Sequence, residues 1–233
     1  RLQMLDHSLT SNHAVIILAS GLSQRLGQVK QLLSKEGEAL IRVMLKLAVT
    51  TQPQAIILII PDHHQAITDA VADLATQYPI IRMVVNPQPE TGMAHSLYLG
   101  IEALGDANVP VERVLIMGID QIRLDKLHLA ALLAGKQPVV ASGYSSWAHT
   151  DKRYLDDDAL VNSSAKTIAG LPLVIDEGLL KQWQSSLTGD KGLRHFIRRL
   201  LPSQISTVTN VQLSYDIDTP EQLAYAQQKG WLD

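Results

Sequence analysis

One segment of the chain gathers residues suited to holding phosphate: Leu18-Ala19-Ser20-Gly21-Leu22-Ser23-Gln24-Arg25-Leu26-Gly27-Gln28-Val29-Lys30. Gly21 and Gly27 relieve side-chain crowding and admit unusual backbone angles. Backbone N–H groups are then able to turn into a cavity and bind phosphate oxygens. Ser20 and Ser23 add hydroxyl donors, Arg25 a planar fork, and Lys30 a compact point charge. The segment fits neither G-x-x-x-x-G-K-[ST] nor G-x-G-x-x-G. Glycines after a strand also serve as plain turn residues, so the residues alone leave both readings open. The chain has no cysteine, which excludes disulfides, thiolate metal sites, iron–sulfur clusters and cysteine nucleophiles. A catalytic metal must therefore be held by oxygen or imidazole. His63 and His64 are adjacent, and neighbours in sequence do not share a helix face, so they do not read as a zinc site.

These residues need a scaffold, and the hydrophobic pattern predicts one. Strands are expected over 14–18, 55–60, 81–85, 113–118, 138–141 and 205–208, and helices over 40–49, 64–76, 93–104, 127–133, 189–201 and 220–229. Central strands that are apolar throughout, alternating with helices, indicate an α/β fold with a three-layer, doubly wound, mostly parallel sheet. Ligands on such sheets sit at the carboxyl ends of the strands, where the segment from Leu18 to Lys30 begins. The pattern breaks over 143–169, a polar stretch with the acidic run Asp156-Asp157-Asp158, which reads as a solvated irregular insertion. The 233 residues suit one domain, with a polar tail over 1–12. Lys plus Arg total 20 against 23 Asp plus Glu, a net charge of −3, which argues against a nucleic-acid partner. No apolar run approaches the ~20 residues of a membrane span, and the missing cysteines fit a reducing cytoplasm.

The pattern L-A-[AS]-G-x-S-x-R-x-G-x-x-K resembles the nucleotidyltransferases related to the molybdenum cofactor cytidylyl- and guanylyltransferases, the MobA/MocA-like group. Further stretches agree in the same order: Asn86-Pro87 with Gly92-Met93-Ala94-His95-Ser96-Leu97, then Asp120-Gln121, then Gly189-Asp190-Lys191-Gly192, then Asp216-Ile217-Asp218-Thr219-Pro220-Glu221. The likeness spans roughly 14–229. It implies a Rossmann-like nucleotidyltransferase fold and a reaction in which an NTP and a phosphorylated acceptor give a nucleotidyl product and pyrophosphate. Catalysis of that kind is mostly positioning and charge stabilisation. By this resemblance Arg25, Lys30 and Asp120 are the catalytic residues. Leu18, Ala19, Ser20, Gly21, Ser23, Arg25 and Lys30 hold the nucleotide phosphates, and Asn86, Gly92 and Ser96 lie around base and ribose. Asp120 and Asp218 are the expected magnesium ligands, with Asp216 as the alternative to Asp218. Either of the last two also suits a plain cap for the helix that begins at Pro220.

The sequence departs from the pattern in places. Ser20 adds a hydroxyl where Ala or Gly is commoner, Leu26 stands where Met or Phe is usual, and Ile122 replaces the proline of D-Q-P, losing a rigid turn. Gly170-Leu171-Pro172-Leu173 resembles the family's G-x-P element near the acceptor. The single glycine after Leu18-Ala19-Ser20 resembles the cytidylyl branch, so CTP is expected before GTP. The implied acceptor is molybdopterin, with a molybdoenzyme as a possible recipient of the product. The alternatives are a sugar-phosphate or other metabolite acceptor, or a non-catalytic accessory protein that binds nucleotide or molybdenum cofactor.

Overall fold

Every residue of His13–Leu18 (β1) is buried, and so is every residue of Ile56–Pro61 (β4) and Arg113–Met117 (β6). Strands buried on both faces need helices on both faces. Val15 and Ile17 pack with Leu40–Val49 (α1), Gln65–Gln77 (α2), Lys126–Ala134 (α4) and Pro220–Gln228 (α7). Ala14 and Ile16 pack on the other side with Met93–Asp106 (α3), Glu177–Gln184 (α5) and Leu193–Ile197 (α6). The computed structural model describes residues 12–145, 167–189 and 192–233. Between β1 and α1 lies a small antiparallel hairpin, Ser34–Lys35 (β2) and Glu38–Ala39 (β3).

With Ile81–Asn86 (β5), Val139–Ser145 (β7), Thr167–Asp176 (β8) and Ile205–Thr209 (β9), the main sheet has seven strands in the order β5-β4-β1-β6-β8-β7-β9. All of its pairings are parallel except the two made by β8. The mostly parallel, doubly wound sheet expected from the sequence is present. From β1 the chain runs outward through β4 and β5, then returns to add β6 on the other side of β1. That reversal opens a crevice at the carboxyl ends of β1 and β6, the place where ligands bind in open α/β sheets.

The expected irregular stretch over 143–169 is corrected at both of its ends. Residues 143–145 continue β7, and 167–169 begin β8, which lies between β6 and β7 in the sheet. Gly170 and Pro172 hid this strand, because both residues weaken a strand reading and here accompany a register shift between Ala141 and Ser142 of β7. Residues 146–166, with the acidic run, lie outside the described residues, as do 1–11 of the tail. Asn12 is tied to the start of β6: its side chain donates to Pro110 O at 3.0 Å and its carbonyl accepts from Glu112 N at 2.9 Å. Among the described residues no helix is long and apolar enough to cross a membrane.

Helix α3 approaches the sheet closely because it carries Gly100, where a Cβ would meet Ile16 Cγ2 at 2.8 Å. Gly100→Val is therefore expected to lower stability by about 1–3 kcal/mol through overpacking. An unchanged urea midpoint would refute this close approach of α3 to β1.

Candidate active site

The loop after β1 is shaped from within. Ser23 takes φ of 53° and its carbonyl accepts from Leu26 N and Gly27 N, both at 3.1 Å. Gly27 follows at φ of 72°, a left-handed conformation that favours glycine. Gly21 differs: its φ is not in that region, and a Cβ there would meet nothing within 4 Å, so its small size leaves open space rather than permitting a turn. Gln31, on the short 3-10 turn Lys30–Leu32, is buried and donates from Nε2 to Ala19 O at 2.8 Å and Gly21 O at 3.0 Å. This amide ties the loop's carbonyls to the protein. The Ser23 hydroxyl accepts from Lys30 N at 3.3 Å, which couples the loop to its lysine.

The second motif forms a buried polar knot. The Ser20 and Ser96 hydroxyls share a hydrogen bond of 2.5 Å, and Asn86 Nδ2 donates to Ser96 at 3.0 Å and to Ser20 at 3.4 Å. Asn86 Oδ1 accepts from Gln88 N at 2.9 Å. The Ser20 hydroxyl is thus engaged with the protein, and Asn86, fully buried, shapes the loop that leads through Gly92 (φ 90°) into α3.

Asp120 follows β6 and meets the loop carrying Asp216. Gln121 and Asp216 form a backbone bridge, and Ile217 N donates to Asp120 O at 3.2 Å. Gln121 Nε2 donates to Leu171 O at 3.0 Å. Ile122 is fully buried, its N–H donates to Asp120 O at 3.1 Å, and its carbonyl accepts from Lys35 Nζ. Packing and hydrogen bonds here take the place of the family's proline. Arg123 stacks over Trp231 at 4.2 Å and Tyr215 at 5.6 Å, and those rings lie 4.6 Å apart. This cation–π cluster clamps the residue after Ile122 to the residue before Asp216.

Thr219 caps α7 in a capping box with Gln222, so neither Asp216 nor Asp218 serves as the helix cap. Asp218 instead accepts from Lys30 Nζ at 2.7 Å and lies 3.5 Å from Arg25. Burial alone would push the Asp218 carboxyl up, but Lys30 and then Arg25 hold it below its ordinary value. Asp120 is pushed up, mainly by burial, with Asp218 adding to the rise and Lys30 opposing it. Asp216 is raised to about 7, first by burial, then by the charges of Asp120 and Asp218.

A cavity of about 580 Å³ opens over this cluster. Of the residues expected at the nucleotide, 18–21, Ser23, Lys30, Gly92 and Ser96 line it, as do Asp120 and Asp216. Asn86, Arg25 and Asp218 do not; Arg25 is largely exposed. Gln121 stands in the Asp120-Gln121 motif, where it had no role of its own, and the reading of the residues missed Gln31, Tyr144 and Arg194. Of these three Gln31 alone left a local signal, a polar residue directly before Leu32-Leu33 and after Lys30. Among the described residues no three acidic or histidine side chains form a cage for a metal by themselves. Magnesium is usually held by one or two carboxylates plus phosphates and water. Asp120 and Asp216, crowded together on the cavity wall with their protons held tightly, suit such a cation.

Residues 15–205 match the MobA-like NTP transferase domain. A nicotine blue oxidoreductase of Paenarthrobacter nicotinovorans is 27% identical over 213 residues, covering 89% of this chain and 93% of the relative. A nucleotidyl transferase from Methanothermobacter superposes with a TM-score of 0.69 at 16% identity, over 94% of this chain and 97% of its own. A 4-diphosphocytidyl-2C-methyl-D-erythritol synthase from Anaerococcus prevotii superposes with a TM-score of 0.64 at 19% identity, over 94% and 96%.

The raised carboxyl of Asp216 sets a pH dependence. The folded protein holds this proton more tightly than the unfolded chain, so the group's effect is neutral below its ordinary value of 3.8. Stability falls as pH rises through the window from 3.8 to about 7 and stays reduced above it. In metal-free protein, Asp216→Asn is expected to add on the order of 1–3 kcal/mol at about pH 8 and little below about pH 4. Urea unfolding at both pH values checks this, and an equal effect at both would rule it out.

Proposed function

The chain belongs to the MobA-like NTP transferase family, and on that premise we propose that it transfers a nucleotidyl group, from CTP before GTP, to a phosphorylated acceptor. An acceptor phosphate oxygen bonds to the α-phosphorus, the bond from that phosphorus to the bridging oxygen breaks, and pyrophosphate leaves. The observation that carries this reading is the placement of Lys30 beside Asp218 and Asp120, with Asp216 next to both carboxylates, at the switch point of the sheet. Lys30 is largely buried, so its charge acts with little screening by water. It is held by Asp218 until a triphosphate oxygen takes that place, and it then steadies the charge that builds on pyrophosphate. Arg25, at the outer edge, does the same from solvent. The loop over 18–23 meets the phosphates, and Gly92 and Ser96 border base and ribose.

Asp120 and Asp216 are the carboxylates on the cavity wall that would hold magnesium, joined by Asp218 when Lys30 turns to phosphate. When bound, the ion neutralises phosphate oxygens and the leaving group. Molybdopterin is the acceptor that the sequence motifs favour, with delivery of the product to a molybdoenzyme. A sugar phosphate is the alternative, and the methyl-erythritol name of one structural relative favours it. The oxidoreductase among the relatives supports a second reading, in which the same cleft holds a dinucleotide for redox chemistry.

With magnesium and molybdopterin, pyrophosphate release is expected to be fastest from CTP. Lys30→Ala is expected to lower kcat/KM for the NTP at least ~100-fold, about 3 kcal/mol. Asp120→Ala is expected to abolish turnover without lowering the unfolding temperature, since it removes a crowded charge. No pyrophosphate from any NTP with any phosphorylated acceptor, together with tight binding of a reduced dinucleotide, would replace this reading with the redox one.

A further inference from the structure

The cleft continues past the carboxylates to a wall that the reaction above leaves without a role. In the sheet, β6 and Asp120 beyond its end stand between β1, which leads into the phosphate loop, and the pair β8 and β7. Adjacent strands lie ~4.8 Å apart, so β8 and β7 stand about 10 and 14 Å from β1, on the far side of Asp120 from Lys30. Among the described residues lining the cavity, Lys30 and Arg194 are the cationic side chains. Lys30 serves the β1 end, and Arg194, on α6, serves the other.

Arg194 is exposed, so its guanidinium fork is open to a ligand, and it lines the same cavity as Tyr144, near the end of β7, close enough for its charge to act on the phenol. Burial, then the nearby charges of Asp120 and Asp216, push the Tyr144 phenol up, so it keeps its proton as a donor. Gly170 on β8 makes the room: a Cβ there would come 2.9 Å from the Tyr144 oxygen. Helix α6 is anchored by Phe196, stacked on Trp183 of α5 with centroids 4.9 Å apart. Leu171, Leu193 and Ile197 complete an apolar wall.

We propose that Arg194 and Tyr144 receive the acceptor's phosphate, and that the acceptor is a phosphomonoester whose flat or apolar body lies on Leu171, Leu193 and Ile197. The proposal rests on the transferase reading, because the site's place beside Asp120 makes its ligand the acceptor. A planar guanidinium grips a phosphate with two parallel hydrogen bonds, and the phenol adds a third donor. Held there, a phosphate oxygen lies across the carboxylates from the donor nucleotide. It forms the new bond to the α-phosphorus while the electron pair of the broken bond leaves on pyrophosphate.

The test is calorimetry on the full chain with phenyl phosphate and glycerol 3-phosphate as probes. Each is titrated alone and again at a saturating, non-transferable CTP analogue with magnesium, which fills the Lys30 end. Wild type is expected to bind phenyl phosphate more tightly than glycerol 3-phosphate in both conditions. Arg194→Ala is expected to weaken phenyl phosphate about tenfold or more, with partial rescue by Arg194→Lys and a smaller loss in Tyr144→Phe. Unfolding temperatures check that each variant is folded. Equal phenyl phosphate affinity in wild type and Arg194→Ala would overturn the proposal, as would no binding to wild type. Tighter binding of glycerol 3-phosphate would overturn the apolar body. If the CTP analogue fails to bind while Arg194-dependent phenyl phosphate binding persists, the transferase reading fails and the phosphate site stands.

Discussion

The cost of ionising Asp120, Asp216 and Asp218 together in a half-buried cleft is the constraint around which the other groups are arranged. Partial burial weakens screening by water, so each carboxylate raises the cost of ionising the next. Lys30 and Arg25 pair with Asp218 and hold its carboxyl down, while burial first and the neighbouring carboxylates second push Asp120 and Asp216 up. A polyanion alone would not be welcome at such a wall. A polyanion arriving with a divalent cation would be, because the cation satisfies the carboxylates and the phosphate oxygens satisfy Lys30. Nucleotide and metal are therefore expected to help each other into the cleft.

Groups that repel one another stay together only if their backbones are held independently. Backbone pairing of Gln121 with Asp216, the Ile217 to Asp120 hydrogen bond and the Arg123 stack on Trp231 do this from three directions. On the β1 side the same task falls to Gln31 and Asn86, whose buried amides bind loop atoms. These amides are struts that fix where the contacting groups stand, and such supports set how accurately a site is placed.

The cleft has unlike ends. The β1 end is built from one continuous loop, and its glycines, hydroxyls and lysine are near neighbours in the chain. The other end is assembled from β7, β8 and α6. Proteins with this fold carry names as different as an oxidoreductase and a diphosphocytidyl synthase. A common scaffold with a changeable wall accommodates that range, because function resides in the site rather than in the fold.

Much of this protein was legible in its residues. The apolar runs fixed β1, β4 and β6 because a strand covered on both faces has no polar alternation to disguise it. The order of strands and helices implied the parallel sheet, and the motif after β1 located the loop that lines the cavity. Strand β8 was not legible, since Gly170 and Pro172 argue locally against a strand that its two neighbours stabilise. Asp216 and Asp218 lie two residues apart in one motif, and spacing alone left open whether either merely capped a helix. Tertiary structure supplied Thr219 as the cap, turned Asp218 toward Lys30 and left Asp216 on the cavity wall. It also brought Tyr144 and Arg194, fifty positions on, to the wall of one cavity. Periodicity and turn chemistry act over a few residues and are written in the sequence. Which side chains converge across a cleft depends on strand order and packing, and these are decided only when the whole chain is folded.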